Sequence, residues 1–196
     1  MVLNEYRGRV DPLLTKIARP FTRFHPNTLT YLSLLFAILG GFLYYLDFLI
    51  FSFLSIFLSA IFDALDGKVA RIRKLSSKRG DFLDHLFDRY ADAAIIIGIG
   101  LSRYSSPQIA IFALTGVFLT SYVGTQAQAV GLERLYAGFL GRAERMIILT
   151  ILPLLQYFVS IKIIYFTVTE WVLLIFAVLG ILNSIYRAVV VWKKLK

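Results

Sequence analysis

Acidic residues concentrate in one short stretch of the chain, with a spacing that suits metal binding. Six of the eight aspartates lie within thirty residues: Asp63, Asp66, Asp81, Asp84, Asp88 and Asp92. On a helix, positions i and i+3 or i and i+4 share a face, so Asp63 pairs with Asp66 and Asp84 pairs with Asp88. Carboxylates without His or Cys suit Mg²⁺, Mn²⁺ or Ca²⁺. We expect these four to bind Mg²⁺ or Mn²⁺, as two ions.

Residues beside these carboxylates suit phosphate chemistry. Two metals about 4 Å apart can stabilise the attacking and leaving oxygens of a phosphate transfer. Gly67 and Gly80 would let a ligand approach the helix backbone, and Arg71 can bind a phosphate. Asp88, the deepest of the four aspartates, is the candidate general base for an attacking hydroxyl.

Two further residues lie close to the predicted ligands on the same helix. His85 stands between Asp84 and Asp88, and helical geometry predicts that it faces away from them. Asp92 lies one turn beyond Asp88, where we expect it to support the site rather than bind the metal.

The composition indicates an integral membrane protein. Hydrophobic residues make up 58% of the 196 residues, the mean hydropathy is +0.73, and 17% are charged, against about 25% in soluble domains. One soluble core of this length could not bury so many apolar side chains. With no cysteine, disulfides and thiolate sites are excluded. No repeat or linker divides the chain, which predicts a single domain over residues 1–196.

The fold prediction is all-α, with six transmembrane helices and an N-terminal interfacial helix. A membrane-spanning helix needs about 20 apolar residues, and such stretches lie at about 28–47, 49–67, 82–102, 107–130, 145–161 and 165–190. Within residues 1–25, apolar residues recur at intervals of three and four with basic residues between them, typical of an amphipathic helix at the membrane interface.

The distribution of charge predicts the orientation in the membrane. With six spans, all but Arg103 and Lys162 of the 21 Lys and Arg residues fall on one side. The positive-inside rule makes that side the cytoplasm, and it holds both termini and the carboxylates. The excess of basic residues is then explained by the orientation in the membrane and by contacts with anionic lipid headgroups, not by nucleic-acid binding.

The carboxylate region resembles a known family signature. It reads Asp63-x2-Asp66-Gly67-x2-Ala70-Arg71-x8-Gly80-x3-Asp84-x3-Asp88, which is similar to the motif of the CDP-alcohol phosphotransferases. The resemblance implies a membrane enzyme that transfers a substituted phosphate from a CDP-alcohol to a hydroxyl and releases CMP. It also implies that Asp63 and Asp84 touch both metals, Asp66 one, and Asp88 one while accepting the proton.

The same resemblance implies a nucleotide site. Pro26-Asn27-Thr28-Leu29-Thr30 is similar to the family's Pro-Asn-x-x-Thr start of the first span. The residues implied in binding the nucleotide and its diphosphate are Asn27, Thr28, Thr30, Gly67, Ala70, Arg71, Ser77 and Gly80.

The second half of the chain resembles the subgroup that makes phosphatidylinositol phosphate or its archaeal counterpart. Ser121-Tyr122 is followed by Gly131 and by Gly141-Arg142-Ala143-Glu144-Arg145. In that subgroup the positions of Arg145 and Arg187 bind the acceptor's phosphate. The chain departs from the subgroup at Gly124-Thr125-Gln126, where basic residues are usual.

Several functional alternatives remain open from the sequence. Inositol phosphate is the favoured acceptor, with glycerol phosphate, serine, or a CDP-inositol donor as in di-inositol phosphate synthesis as alternatives. The expected partners are a CDP-linked lipid donor, either CDP-archaeol or CDP-diacylglycerol, a small polar alcohol and membrane lipids, and a homodimer is one expected assembly. A cation transporter is the rival class, since membrane carboxylates often carry ions. These carboxylates are predicted at the cytoplasmic ends of two spans, beside Gly67, Gly80 and Arg71. Ion transport would not require these neighbours.

Overall fold

The described residues form a helical bundle. The computed structural model describes residues 12–133, 135 and 138–195, in which an isolated β-bridge between Ile163 and Phe166 is the single extended pairing. Residues 12–18 form helix α1, which runs into a 3₁₀ turn at Arg19–Arg23. Six long helices follow: α2 (Pro26–Tyr45), α3 (Leu49–Ile72), α4 (Lys78–Gly100), α5 (Pro107–Ala129), α6 (Arg142–Phe158) and α7 (Val168–Lys194).

Four of these helices are long and apolar enough to cross a membrane, namely α2, α3, α5 and α7. The described residues confirm the all-α prediction, and the four helices agree with a membrane protein. Helix α4 carries charged residues through its first half, and α6 has only 17 residues. The six-span arrangement and the interfacial position of α1 stay predictions, and residues 1–11 of the predicted interfacial helix lie outside the described residues.

Several helices begin at polar residues that precede the apolar stretches. Ser77 accepts a hydrogen bond from the Gly80 amide at 3.1 Å and caps α4, and Thr167 and Glu170 form a capping box at α7. The Ser77 cap starts α4 at Lys78 rather than at 82, whereas α6 begins at Arg142 rather than at 145, after Gly141 and without a side-chain cap. A hydropathy profile marks only the apolar part of a helix. The helix itself can continue into the polar residues that precede this part.

Small residues bring the helix backbones into direct contact. A Cβ added to Gly98 in α4 would collide with the Gly41 carbonyl group of α2, and one on Gly180 in α7 would lie 2.6 Å from the carbonyl carbon of Gly116 in α5. Such close approach is typical of membrane helix packing. The core between these helices is filled by large apolar side chains, among them Ile56, Ile95, Ile99, Leu149, Leu173 and Phe176.

Polar contacts tie the helices together at one end of the bundle. Tyr44 Oη, at the end of α2, lies 2.5 Å from Thr169 Oγ1 at the start of α7. Thr169 Oγ1 also donates to Gln156 Oε1 of α6 at 2.7 Å. Asp47 and Arg103 form an ion pair between the connections α2–α3 and α4–α5. The aspartates of α3 and the first turns of α4 lie at the opposite end.

We expect Gly98→Ala to lower the melting temperature of the purified protein by several degrees. Overpacking of a tight contact costs roughly 1–3 kcal/mol, and here the added methyl would collide with backbone. Gly67→Ala is the matched control, because its methyl would meet only Arg71 Nη1 at 3.6 Å. A Gly98→Ala protein that melts no lower than Gly67→Ala would contradict this account of the packing.

Candidate active site

Three of the predicted metal ligands converge where α3 and α4 approach each other. Asp63, Asp66 and Asp84 each offer a carboxylate oxygen, and these oxygens lie within 4.8 Å of one another. Asp63 and Asp66 share a face of α3, as their spacing predicts. Asp66 is buried, and its Oδ2 has no hydrogen-bond partner among the described residues.

Asp88 lies one turn deeper than Asp84 on α4 and is 6% exposed. It belongs to a second group of nearby ligand atoms, together with Asp84 and His85. Asp84 is therefore the residue that both groups share. The structure brings the four predicted carboxylates to one place, as two overlapping groups of ligands.

His85 does not face away from the carboxylates, so that prediction is wrong. Its Nδ1 lies 3.8 Å from Asp84 Oδ2 and 3.9 Å from Asp88 Oδ2, and its Nε2 lies 3.4 Å from Asp81 Oδ1. Helical side chains lean toward the helix N-terminus. That tilt carries the long imidazole back toward Asp81, one turn earlier, and keeps it within reach of Asp84.

Arg142 joins the carboxylates of two helices. Its Nη2 forms ion pairs with Asp63 Oδ1 of α3 and with Asp88 Oδ1 of α4. The sequence reasoning assigned no role to this residue, although it lies three positions before Arg145. That spacing places both arginines on one face of α6, and it is the signal that could have identified Arg142.

The residues present fit divalent metal ions. One ligand group holds three carboxylates, the donors that Mg²⁺ and Mn²⁺ prefer, and the other holds two carboxylates and the His85 imidazole. Within the described residues the buried Asp66 Oδ2 has no hydrogen-bond partner. A buried polar atom normally has one, so this oxygen could coordinate a metal ion.

A cavity of about 210 Å³ opens beside Asp66 and Asp84. It is formed by the start of α2, the end of α3 and the start of α4. All of the predicted nucleotide residues except Thr28 line it: Asn27, Thr30, Gly67, Ala70, Arg71, Ser77 and Gly80. Thr28 is exposed and is not part of the lining. The roles of these residues stay predictions.

Packing does not require the two glycines of this cavity. A Cβ on Gly67 would lie 3.6 Å from Arg71 Nη1, and one on Gly80 would lie 3.4 Å from Ser77 Oγ. Both are ordinary contacts, unlike the backbone collisions at Gly41 and Gly98. Glycine at these positions therefore leaves open space in the cavity and does not serve the contact between two helices.

Basic residues gather on the side of the carboxylates that faces α5, α6 and α7. Arg145 is buried, and its Nη2 lies 3.0 Å from Asp92 Oδ2. Arg89 Nη1 lies 3.0 Å from the same oxygen. Arg187 Nη1 donates to the Thr120 carbonyl oxygen at 2.8 Å. Asp92 lies outside both carboxylate groups found in the described part of the chain.

Gly124, where the subgroup usually has basic residues, lies against the Arg187 side chain. A Cβ added there would lie 3.1 Å from Arg187 Nη1 and 3.1 Å from the Leu135 carbonyl oxygen. Both contacts are tighter than is usual. The absence of a side chain at Gly124 leaves room for the Arg187 guanidinium.

Comparison with known proteins identifies the family. The sequence model described as CDP-alcohol phosphatidyltransferase matches residues 23–191. The chain belongs to the CDP-alcohol phosphatidyltransferase family. This confirms the resemblance that the aspartate motif carries, and membership favours a transferase over the cation transporter.

Relatives in this family resemble the chain over nearly its whole length. Archaetidylinositol phosphate synthase of Pyrococcus horikoshii is 31% identical over 87% of this chain and 92% of its own. The enzyme of the same name from Methanothermobacter thermautotrophicus is also 31% identical, over 100% of this chain and 96% of its own.

A solved structure shares the fold. Phosphatidylinositol phosphate synthase of Mycobacterium tuberculosis with CDP-DAG bound has a TM-score of 0.77 and 28% identity, covering 92% of this chain and 94% of its own. The same enzyme in complex with manganese and citrate has a TM-score of 0.76 and 27% identity, covering 91% and 88%.

We expect Asp66→Asn to weaken Mn²⁺ binding by at least about tenfold, the scale on which changes around a metal site act. The substitution removes a charged ligand from the group formed with Asp63 and Asp84. Electron paramagnetic resonance of free Mn²⁺ during titration of the purified protein measures the affinity. Asp81→Asn is the control, since Asp81 belongs to neither carboxylate group. Equal Mn²⁺ affinity in the two variants would argue against the proposed ligand set.

Proposed function

We propose that the protein transfers a substituted phosphate from a CDP-linked lipid to a hydroxyl of inositol phosphate and releases CMP, as a step in phospholipid biosynthesis. The observation that carries this proposal is the cavity whose lining runs from Asn27 and Ser77 to the carboxylates of Asp66 and Asp84. It offers a nucleotide site that ends directly at a set of metal ligands.

The similar proteins support both proposed substrates, the CDP-linked lipid donor and the inositol phosphate acceptor. Archaetidylinositol phosphate and phosphatidylinositol phosphate synthases are among the proteins similar over most of the chain. The structural neighbour binds CDP-DAG, which supports a CDP-linked lipid as donor. CDP-archaeol and CDP-diacylglycerol carry the same reacting diphosphate, so both belong to the proposed donor class.

The cavity residues bind and orient the donor. The first turn of α4, capped by Ser77, presents backbone amides and the positive end of the helix dipole to the diphosphate. Arg71 lines the same cavity and can bind a phosphate oxygen. Gly67 and Gly80 keep the helix backbones accessible to the ligand.

The carboxylates would hold the metal ions and accept a proton. Asp63, Asp66, Asp84 and Asp88 would bind Mg²⁺ or Mn²⁺, which neutralises charge on the diphosphate and polarises its oxygens. Asp88 accepts the proton of the acceptor hydroxyl at Oδ2, because Arg142 holds Oδ1. The acceptor oxygen forms a bond to the phosphorus that carries the lipid, the bond from that phosphorus to the bridging oxygen breaks, and CMP leaves.

The acceptor binds on the basic side of the carboxylates. Arg145 and Arg187 bind its phosphate, as the subgroup resemblance implies. This side lies next to Asp88, since Arg142 and Arg145 are three residues apart on α6 and Arg142 pairs with Asp88. A phosphate held there directs the rest of the acceptor toward the proposed base.

The site faces the cytoplasm in this proposal. Arg103 and Lys162, the two basic residues assigned to the other side, follow α4 and α6 at the end opposite the aspartates. The remaining basic residues follow the positive-inside rule. The lipid tail of the donor stays between helices in the bilayer, while the acceptor and CMP exchange with the cytoplasm.

The direct test is CMP release by purified protein in lipid vesicles with Mg²⁺ and a CDP-lipid. We expect inositol phosphate to stimulate release, and glycerol phosphate, serine and free inositol to leave it near the background rate. Release stimulated by another acceptor would overturn the assignment of inositol phosphate. A reaction that needs CDP-inositol as donor would replace the proposed donor class.

We expect Asp88→Asn to lower kcat by about 10²- to 10⁴-fold, the usual contribution of a general base, while the melting temperature stays near that of the wild type. The control is Asp47→Asn, which makes the same chemical change at the opposite end of the bundle, where Asp47 pairs with Arg103. Substantial turnover in Asp88→Asn would remove Asp88 from the role of base.

A further inference from the structure

The imidazole of His85 lies beside two of the carboxylates of α4. Asp88 follows His85 by three residues and Asp84 by four, so both side chains share a helix face with Asp88. His85 Nδ1 lies 3.8 Å from Asp84 Oδ2 and 3.9 Å from Asp88 Oδ2. Ligands that bind one small divalent ion at about 2.1 Å lie roughly 3–4 Å apart. Both distances therefore fit an ion held between the nitrogen and the two oxygens.

His85 Nδ1 has no partner of its own. It is buried and makes no hydrogen bond within the described residues, whereas a buried polar atom normally has a partner. The two carboxylate oxygens that face it are too distant for a hydrogen bond. Ionised carboxylates also offer only lone pairs, as an imidazole nitrogen without a proton does. A metal ion would satisfy all three atoms, because each contributes a lone pair to it.

The contact of His85 with Asp81 does not explain this arrangement. Nε2 lies 3.4 Å from Asp81 Oδ1, but the Asp81 side chain is 73% exposed. Solvent largely screens a contact of this kind, and such pairs contribute little. The contact also involves the other nitrogen of the ring. It leaves the position of Nδ1 between Asp84 and Asp88 without a cause.

The two ligand groups of the site differ in chemical type. Asp63, Asp66 and Asp84 offer oxygens alone, whereas Asp84, His85 and Asp88 offer a nitrogen as well. Mg²⁺ binds almost entirely through oxygen, and imidazole nitrogen suits transition-metal ions better. The two groups should therefore differ in their preference for Mg²⁺ and Mn²⁺.

An ion can reach the group that contains His85. The side chains of Asp84 and His85 are 33% and 32% exposed, and that of Asp88 is 6% exposed. Arg142 holds Asp88 Oδ1, so Oδ2 is the oxygen that faces His85. A carboxylate oxygen has two lone-pair positions. Oδ2 can therefore bind an ion and still face the acceptor hydroxyl.

We propose that His85 Nδ1 is a metal ligand, and that it makes the position formed by Asp84, His85 and Asp88 bind Mn²⁺ in preference to Mg²⁺. The position formed by Asp63, Asp66 and Asp84 then discriminates less between the two ions. The inference rests on the proposed function for its carboxylate ligands. It does not depend on the identity of the donor or of the acceptor.

The first measurement is pulsed electron paramagnetic resonance of Mn²⁺ bound to the purified protein. Mn²⁺ is added below the protein concentration and in the presence of excess Mg²⁺, so that it occupies the position that prefers it. We expect modulation from a directly bound ¹⁴N nucleus. The chain contains two histidines. Protein grown with ¹⁵N-histidine should therefore show ¹⁵N couplings instead, without any substitution.

The second measurement assigns the nitrogen with two variants. His85→Ala should lose the coupling and bind Mn²⁺ at least about tenfold more weakly, the scale on which changes around a metal site act. Its Mg²⁺ affinity should fall less. His25→Ala is the matched control and should retain the coupling and the affinity. His25 lies at the start of α2, where its Nδ1 accepts a hydrogen bond from the Asn27 amide.

The outcomes separate the inference from the proposed function. A wild type that shows the histidine coupling but releases no CMP would overturn the proposed function and leave the metal ligand intact. CMP release by a protein whose bound Mn²⁺ shows no histidine coupling would overturn the inference alone. Wild-type Mn²⁺ affinity in His85→Ala would do the same, since that result is expected if His85 only contacts the neighbouring carboxylates. A wild type that binds no Mn²⁺ would overturn both. If His85→Ala fails to fold, the ¹⁵N-histidine label in His25→Ala decides.

Discussion

Ionised side chains are costly inside a helical bundle that crosses a membrane, and the arrangement of charge around α4 is the constraint on which the rest of this structure depends. Asp84 and Asp88 lie on the side of the α3 carboxylates, whereas Asp92, further along α4, pairs with Arg89 and with Arg145 of α6. One helix therefore carries part of a carboxylate cluster and, one turn further, an aspartate paired with two arginines. Arg142 belongs to the carboxylate cluster, because its guanidinium contacts Asp63 and Asp88, and it lies one turn before Arg145 on α6. A reaction between a metal-bound diphosphate and a phosphorylated alcohol needs carboxylates and arginines next to each other.

Packing between the apolar parts of the helices positions these charged groups. Contacts through Gly41 and Gly98 bring α2 against α4, so that Asn27 and Thr30 of α2 reach the cavity beside Asp66. At the other end of the bundle, the contacts among Tyr44, Thr169 and Gln156 join α2, α6 and α7. The ends of the helices that carry the charged groups are thereby fixed relative to one another. Ligands that are positioned before substrate arrives need little reorganisation during the reaction.

The sequence predicts much of the site, because the spacing of residues on one helix determines which of them share a face. Asp63 and Asp66 on α3 follow directly from that rule. Gly67, Arg71 and Gly80 are predicted from their residue types beside the carboxylates. The family resemblance adds the other nucleotide residues, of which only Thr28 is missing from the cavity lining. Contacts between helices lie beyond such reasoning: Arg142 reaches Asp63 across 79 positions of the chain, and no local pattern encodes that pairing. His85 was mispredicted because angular position on a helix ignores the length and tilt of the side chain.

In the proposed site, metal ions bind the carboxylates on one side of Arg142 and the acceptor's phosphate binds the arginines on the other. A structure of the protein with Mn²⁺ and inositol phosphate tests this arrangement most directly. We expect anomalous scattering from Mn²⁺ beside Asp66 and Asp84, and the phosphate of the acceptor at Arg145 and Arg187. Mn²⁺ bound away from these carboxylates, or a phosphate that contacts neither arginine, would contradict the account.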